Sequence, residues 1–302
     1  MINFLKKNNR KVFRIETWGG VGDGLANTPS FKALKETYPD CKIIVYCIRW
    51  YFKEIYANNP YIDSIVNIKI WQLEILKKFV KVYDTHFQAI PPTFLKTTKH
   101  GKEIVADILG VKLNDHRVQV YLTEKEKSDA LHIMSKYKNP ICIHVTSRNS
   151  KYHMWAPEKW EELIRRMPEY TFIQLGQKDE YHVKGAVDFL GKTSLRGAIA
   201  MMTHAQYFVG TDGGLAHAAN SAKIPAIVLF SDSDVNTHGH KEHINIYYKM
   251  PCAPCYFLLW GQDGCPYDSA CIKKITVEDV QNIILKVESQ KMGHSSIPTL
   301  EN

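Results

Sequence analysis

Short apolar runs of strand composition alternate with amphipathic runs of helical length along this chain, and that alternation limits the fold more than any other feature. In the first part, Val12–Trp18, Lys42–Ile48 and Ile62–Ile68 read as strands. Helices are expected over Pro29–Pro39, Gln72–Val80 and Lys102–Gly110. Thr123–Tyr137 is charged and helical, with Thr123 and Glu126 in capping-box spacing. Pro140 then resets the chain, and a second alternation runs to about Phe230. Strands alternating with helices imply parallel sheets covered on both faces. Ligands of such sheets bind at the carboxyl ends of the strands, where loops lead into helix N-termini. Two such halves facing each other would form a cleft, and inter-domain clefts are common ligand sites.

At 302 residues and 45% hydrophobic composition the chain can bury two cores, which excludes a disordered or collagen-like class. The +8 net charge suits a phosphate-bearing or membrane-surface partner, or simply solubility. No run reaches the ~20 apolar residues a membrane span needs, and Met1–Lys11 lacks the apolar core of a signal peptide. A cytoplasmic location is expected, where thiols stay reduced, so the seven cysteines are not read as a disulfide framework. Cys41, Cys47 and Cys142 fall in or beside strands and read as core.

Four constellations carry candidate chemistry. Gly19–Gly24 lies between a strand and a helix and contains a single acid, Asp23, which suits either a general base or a capping residue. The glycines do not complete a dinucleotide fingerprint. Thr211–His217 is a strand end, a glycine turn and a helix start; its free amides suit a phosphate, with Asp212 accepting from sugar hydroxyls, and a plain capping turn is the alternative. His144–Lys151 combines hydroxyls with Arg148 and Lys151, as a diphosphate needs, or is a solvated loop. Cys252, Cys255, Cys265 and Cys271 pair as close thiols, which suits a tetrahedral zinc or iron site or packed free cysteines.

Taken in order, these segments resemble glycosyltransferase family 9, the heptosyltransferases of lipopolysaccharide synthesis. The residues that carry the likeness are Gly22-Asp23 with Asn27-Thr28-Pro29; His144–Trp160 with Lys151, Trp155, Pro157 and Trp160; Leu175-Gly176 through Glu180; Val209–Phe230; and Cys252–Val280. The resemblance implies an α/β fold of the GT-B type, two Rossmann-like domains facing a central cleft. Residues 1–125 would bind the acceptor and 126–290 the nucleotide sugar, with 252–271 as a four-cysteine segment and 291–302 as a flexible tail. It implies inverting transfer, most often from ADP-heptose, to a glycan, lipopolysaccharide or protein hydroxyl, with no catalytic divalent metal. Asp23 would be the base. Thr146, Ser147, Arg148 and Lys151 would hold phosphates, Glu180 the ribose, and Asp212, Gly213, Gly214, Leu215 and His217 the donor sugar and diphosphate. The four-cysteine segment is also similar to that of autotransporter heptosyltransferases, whose cysteines hold iron, so a structural Fe or Zn is expected on Cys252, Cys255, Cys265 and Cys271. Contact with the inner face of a membrane fits a lipid-linked acceptor. A nucleotide-sugar epimerase is the alternative enzyme. A nucleic-acid-binding metal ribbon is disfavoured, because Cys252–Cys271 contains no Lys or Arg, so no nucleic-acid partner is expected.

Overall fold

The computed structural model describes residues 10–86, 99–147, 151–255, 265 and 267–292. The chain divides into two compact units, Met1–Tyr121 and Leu122–Asn302. Among the described residues, no helix is long and apolar enough to cross a membrane.

The first unit holds β1 (Val12–Thr17), α1 (Val21–Thr37), β2 (Lys42–Cys47), α2 (Trp50–Tyr56), β3 (Ser64–Asn67), α3 (Ile70–Lys77), β4 (Tyr83–Asp84) and α4 (Gly101–Leu109). Its sheet runs β3-β2-β1-β4 with every pairing parallel. The strand order reverses between β1 and β4, so the turn after β1 lies at a switch point.

Helix α1 corrects the sequence expectation: it starts at Val21, eight residues before Pro29, and absorbs Gly22 and Gly24. Two local devices explain this. The Asp23 carboxylate reaches back to accept the Gly20 N–H at 2.7 Å, capping the helix before the glycines can end it. Pro29 cannot donate to the Leu25 carbonyl, and the Thr28 hydroxyl donates there instead at 2.7 Å. Gly24 is required by packing, because a Cβ there would lie 2.7 Å from the Phe52 ring and 2.9 Å from Ile55. Gly24→Ala should therefore cost about 1–3 kcal/mol, read as a lowered urea midpoint. An unchanged midpoint would show that α2 yields freely.

The second unit holds α5 (Glu124–Met134), β5 (Pro140–His144), α6 (Pro157–Arg166), β6 (Thr171–Gly176), β7 (Val187–Leu190), α7 (Leu195–Met202), β8 (Tyr207–Thr211) and α8 (Gly214–Ala222). It continues with β9 (Ala226–Leu229), α9 (Val235–His238), β10 (Ile244–Ile246), α10 (Ala270–Lys274) and α11 (Val277–Met292). The six-stranded sheet runs β10-β9-β8-β5-β6-β7, again wholly parallel. Central strand β5 is buried on both faces. Ile141 and Ile143 join a core with Trp155, Trp160 and α11, while Cys142 joins the core of α7 and α8 on the other side. Cys41 and Cys47 are buried in the first unit, as expected for core thiols.

The Thr123–Glu126 capping box forms as the spacing predicts. Glu126 also accepts from Arg196 on α7, at 2.5 Å from Nε and 2.8 Å from Nη2. The guanidinium holds the Glu126 carboxyl at about 2, against an ordinary 4.5. A lowered carboxyl pKa stabilises the fold fully above the unfolded value and loses that contribution as pH falls through the folded one. The stability gap between wild type and Glu126→Gln should thus be widest above pH 4.5 and close towards pH 2. Urea melts across that range measure it, and a gap independent of pH would show that the pair contributes nothing.

Candidate functional site

In the second unit the strand order reverses between β5 and β8, which pair directly with His144 opposite Gly210. The loops after these two strands carry Thr146, Ser147, Asp212 and Gly213, so the sheet topology brings together segments more than sixty residues apart in sequence. The loop after β6 adds Glu180, and that after β9 adds Ser231–Asp234.

Each group is held. Glu180 lies 3.3 Å from His144 Nε2 and accepts the Thr146 hydroxyl, so the proton expected to meet a phosphate is spent on a carboxylate. Burial works against the Glu180 charge, but His144, Thr146 and the Gln177 main chain outweigh it and the pKa is lowered. Gly176 makes the room, since a Cβ there would sit 2.3 Å from Glu180 Oε2. Asp212 is buried and accepts the Ser233 hydroxyl at 2.6 Å. Its pKa is also lowered. Burial pushes upward, and His238, His217, His153 and the Ser233 bond together push further down.

Gly213 precedes α8 in extended backbone, and a Cβ there would meet only the Thr211 carbonyl, at 3.9 Å. Neither strain nor crowding within the protein explains that glycine, and its missing side chain leaves the α8 amides open to close approach. Gly214 opens α8, and Leu215 packs partly buried against the β8 core. His217, in the first turn, sits 3.9 Å from Asp212 Oδ1 through Nε2 and shares a 2.9 Å hydrogen bond with His240 through Nδ1. Arg148 lies outside the described residues. Lys151 opens a 3-10 turn, Lys151–His153.

In the first unit Asp23 is buried, in the first turn of α1. The Gly19 backbone folds over its carboxylate with φ +84°, and Tyr51 donates to the Gly19 carbonyl at 2.5 Å.

Five buried residues around the β5–β8 edge were not singled out from the sequence: His153, Asp232, His238, His240 and His243. The available signal was the histidine density of His238–His243.

The family model of glycosyltransferase family 9 (heptosyltransferase) matches residues 91–256, more than half of the chain. The chain belongs to glycosyltransferase family 9. This family-9 chain is 23% identical over 212 residues to the autotransporter heptosyltransferase Aah of Escherichia coli, covering 63% of the chain and 52% of Aah. It therefore spans about half the length of the curated relative it matches. Among solved structures it is similar to a family-9 glycosyltransferase of Veillonella parvula DSM 2008, with TM-score 0.69 and 14% identity over 93% of this chain and 96% of that one. It is equally similar in fold to the iron-containing dodecameric glycosyltransferase TibC of enterotoxigenic E. coli H10407, with TM-score 0.69 and 18% identity over 95% and 78% of the two chains. The fold of this family-9 chain is thus α/β of the GT-B type, with one parallel sheet in each unit.

The cysteines end up near one another without forming a ligand shell. Among the described residues, no group of three or more His, Cys, Asp or Glu side chains is set to hold a metal ion, which departs from the four-ligand site expected of Cys252, Cys255, Cys265 and Cys271. The thiols nonetheless feel each other's charge. Cys255 is pushed up to about 12 by burial, then by Asp232, and then by Cys252, Cys271 and Cys265. Crowded sulfurs that resist ionisation are what a soft cation would relieve, so the donor set suits iron or zinc chemically. The main chain ties this segment to the donor loops: Cys255 N–H donates to the Asp232 carbonyl at 2.8 Å, and Cys265 N–H to the Tyr152 hydroxyl at 3.1 Å.

Proposed function

We propose that this chain is an inverting glycosyltransferase that moves a sugar, heptose from ADP-heptose, onto a hydroxyl of a glycan, lipopolysaccharide or protein acceptor. The observation that carries the reading is the convergence of Ser147, Glu180, Asp212 and the α8 N-terminus on one sheet edge in a family-9 chain. TibC, similar in fold, has been solved with ADP-D-β-D-heptose, which supports the donor class.

In this reading the diphosphate rests on the amides of Gly213, Gly214 and Leu215, with Ser147, Arg148 and Lys151 offsetting the charge that develops on the leaving group. Glu180, oriented by Thr146 and His144, takes the ribose hydroxyls. Asp212 and His217 take the donor sugar. Asp23 accepts the proton of the attacking hydroxyl, which adds to the anomeric carbon opposite the departing diphosphate and inverts it. Only one base is needed, because the leaving group is already good, and no divalent metal enters the step. The four cysteines would hold a structural iron or zinc, a reading supported by their mutual proximity and by the iron in TibC. The protein works in the cytoplasm, at the inner face of the membrane when its acceptor is lipid-linked.

Thermal melts with ADP-, GDP-, UDP- and CDP-sugars, each with and without a chelator, test this. Saturating ADP-heptose at about 100 times its Kd should add about 2.7 kcal/mol, a clear rise in melting temperature, with or without divalent metal. Stabilisation by none of the four classes would overturn the reading. Turnover of a UDP-sugar without an acceptor would replace it with the epimerase.

A further inference from the structure

The geometry points to His153 as a positioning residue that fixes the polarity of the Ser147 hydroxyl towards the donor diphosphate, an inference that rests on the donor reading above. His153 ends the Lys151–His153 turn and is only 4% exposed. Its Nε2 lies 2.6 Å from Asp232 Oδ1, and its Nδ1 lies 3.2 Å from Ser147 Oγ. Asp232 is itself fixed: it is 1% exposed, its carboxylate accepts the Ser231 hydroxyl at 2.9 Å, and its carbonyl accepts from Cys255. A carboxylate only accepts, so a proton on Nε2 is the state this 2.6 Å contact favours.

The state of Nδ1 then decides what Ser147 can offer. With Nδ1 bare, the Ser147 hydroxyl must donate inward and shows a ligand only lone pairs. With Nδ1 protonated, Ser147 accepts from the ring, and its own hydrogen turns outward. A diphosphate accepts hydrogen bonds and donates none, so only the second arrangement serves it. The surroundings favour that arrangement. Besides Asp232, the ring meets the charge of Asp212 and an acceptor on the Asp212 main chain, while His238 and His217 face Asp212 in turn. Burial penalises the ring's charge, but these acidic neighbours outweigh it and the His153 pKa is raised.

A serine, a histidine and an aspartate in line suggest an activated nucleophile, but the chemistry runs the other way. With Nδ1 protonated, the ring cannot take a proton from Ser147. The constellation orients a donor hydrogen and leaves the serine unreactive.

A double-mutant cycle with Ser147→Ala and His153→Gln, read as the calorimetric Kd for ADP-heptose, tests the inference. Each single change should weaken binding about 10-fold, and the double change no more than either one. The kcat at saturating donor should fall together with affinity in both single variants, because Ser147 also offsets charge on the departing diphosphate. Wild-type affinity should fall as pH rises through the His153 titration, and that fall should be missing from Ser147→Ala. Additive losses of about 100-fold in the double variant, or equal pH profiles for wild type and Ser147→Ala, would overturn the inference while leaving the donor site standing. If His153→Gln does not fold, the Ser147→Ala pH profile alone decides. If the wild-type protein binds no nucleotide sugar, the donor reading and this inference fall together.

Discussion

Asp23→Asn should lower kcat/KM by about 10² to 10⁴ while the Kd for the nucleotide sugar stays within about 2-fold. The substitution is informative because Asp23 has two roles to separate. Its carboxylate caps α1 through the Gly20 N–H at 2.7 Å. The asparagine side-chain oxygen can still accept the Gly20 N–H, so the variant should keep its melting temperature. It cannot take up a proton as a carboxylate does. A folded variant with normal donor binding and lost turnover assigns the base to Asp23. A folded variant with normal turnover would leave Asp23 as a cap alone. Asp23→Ala is the control: it should lose turnover and also about 1 kcal/mol of stability.

Trp155→Ala should cost about 3–5 kcal/mol, seen as a large drop in the urea midpoint. Its ring meets Trp160 edge to face at 5.0 Å and 88°, and both are buried. Its indole N–H donates to the Ile275 carbonyl at 2.9 Å, fastening the loop before α6 to the chain entering α11. Truncation opens a cavity and removes one of the two hydrogen bonds the Ile275 carbonyl accepts, leaving the one from Lys159 at 2.7 Å. Any fall in activity should track the unfolded fraction, because both rings are packed in the hydrophobic core. A stable but inactive Trp155→Ala would give that ring a role at the site.

The contrast between these two positions shows what the sequence could and could not convey. Trp155 and Trp160 are the most conspicuous residues of the His144–Trp160 segment, yet they are core. The strand–helix alternation, the Thr123–Glu126 cap and the loops at His144–Ser147 and Thr211–His217 were legible because their signals are local in sequence. The start of α1 was not. Gly22, Gly24 and Pro29 all argue against a helix, and the compensations lie in the side chains of Asp23 and Thr28. Helices α2, α9 and α10 and strands β4, β7 and β10 went unread because they are short, whereas α11 runs 16 residues behind a Thr276–Asp279 cap that was open to reading. The buried histidine–aspartate group was illegible because it gathers residues from 153 to 243, and only the order of the parallel strands brings them to one edge.

The tryptophans also give the two units different optical signatures. Trp50 and Trp71 in the first unit are 71% and 60% exposed, so their emission is already that of an indole in water. Trp155 and Trp160 emit from a dry interior and must shift to the red when their core opens. The red shift of these two indoles therefore reports the opening of the second unit's core, while half-buried Trp18 adds a signal from the first. Circular dichroism follows both, and any gap between the two curves measures how independently the two units come apart.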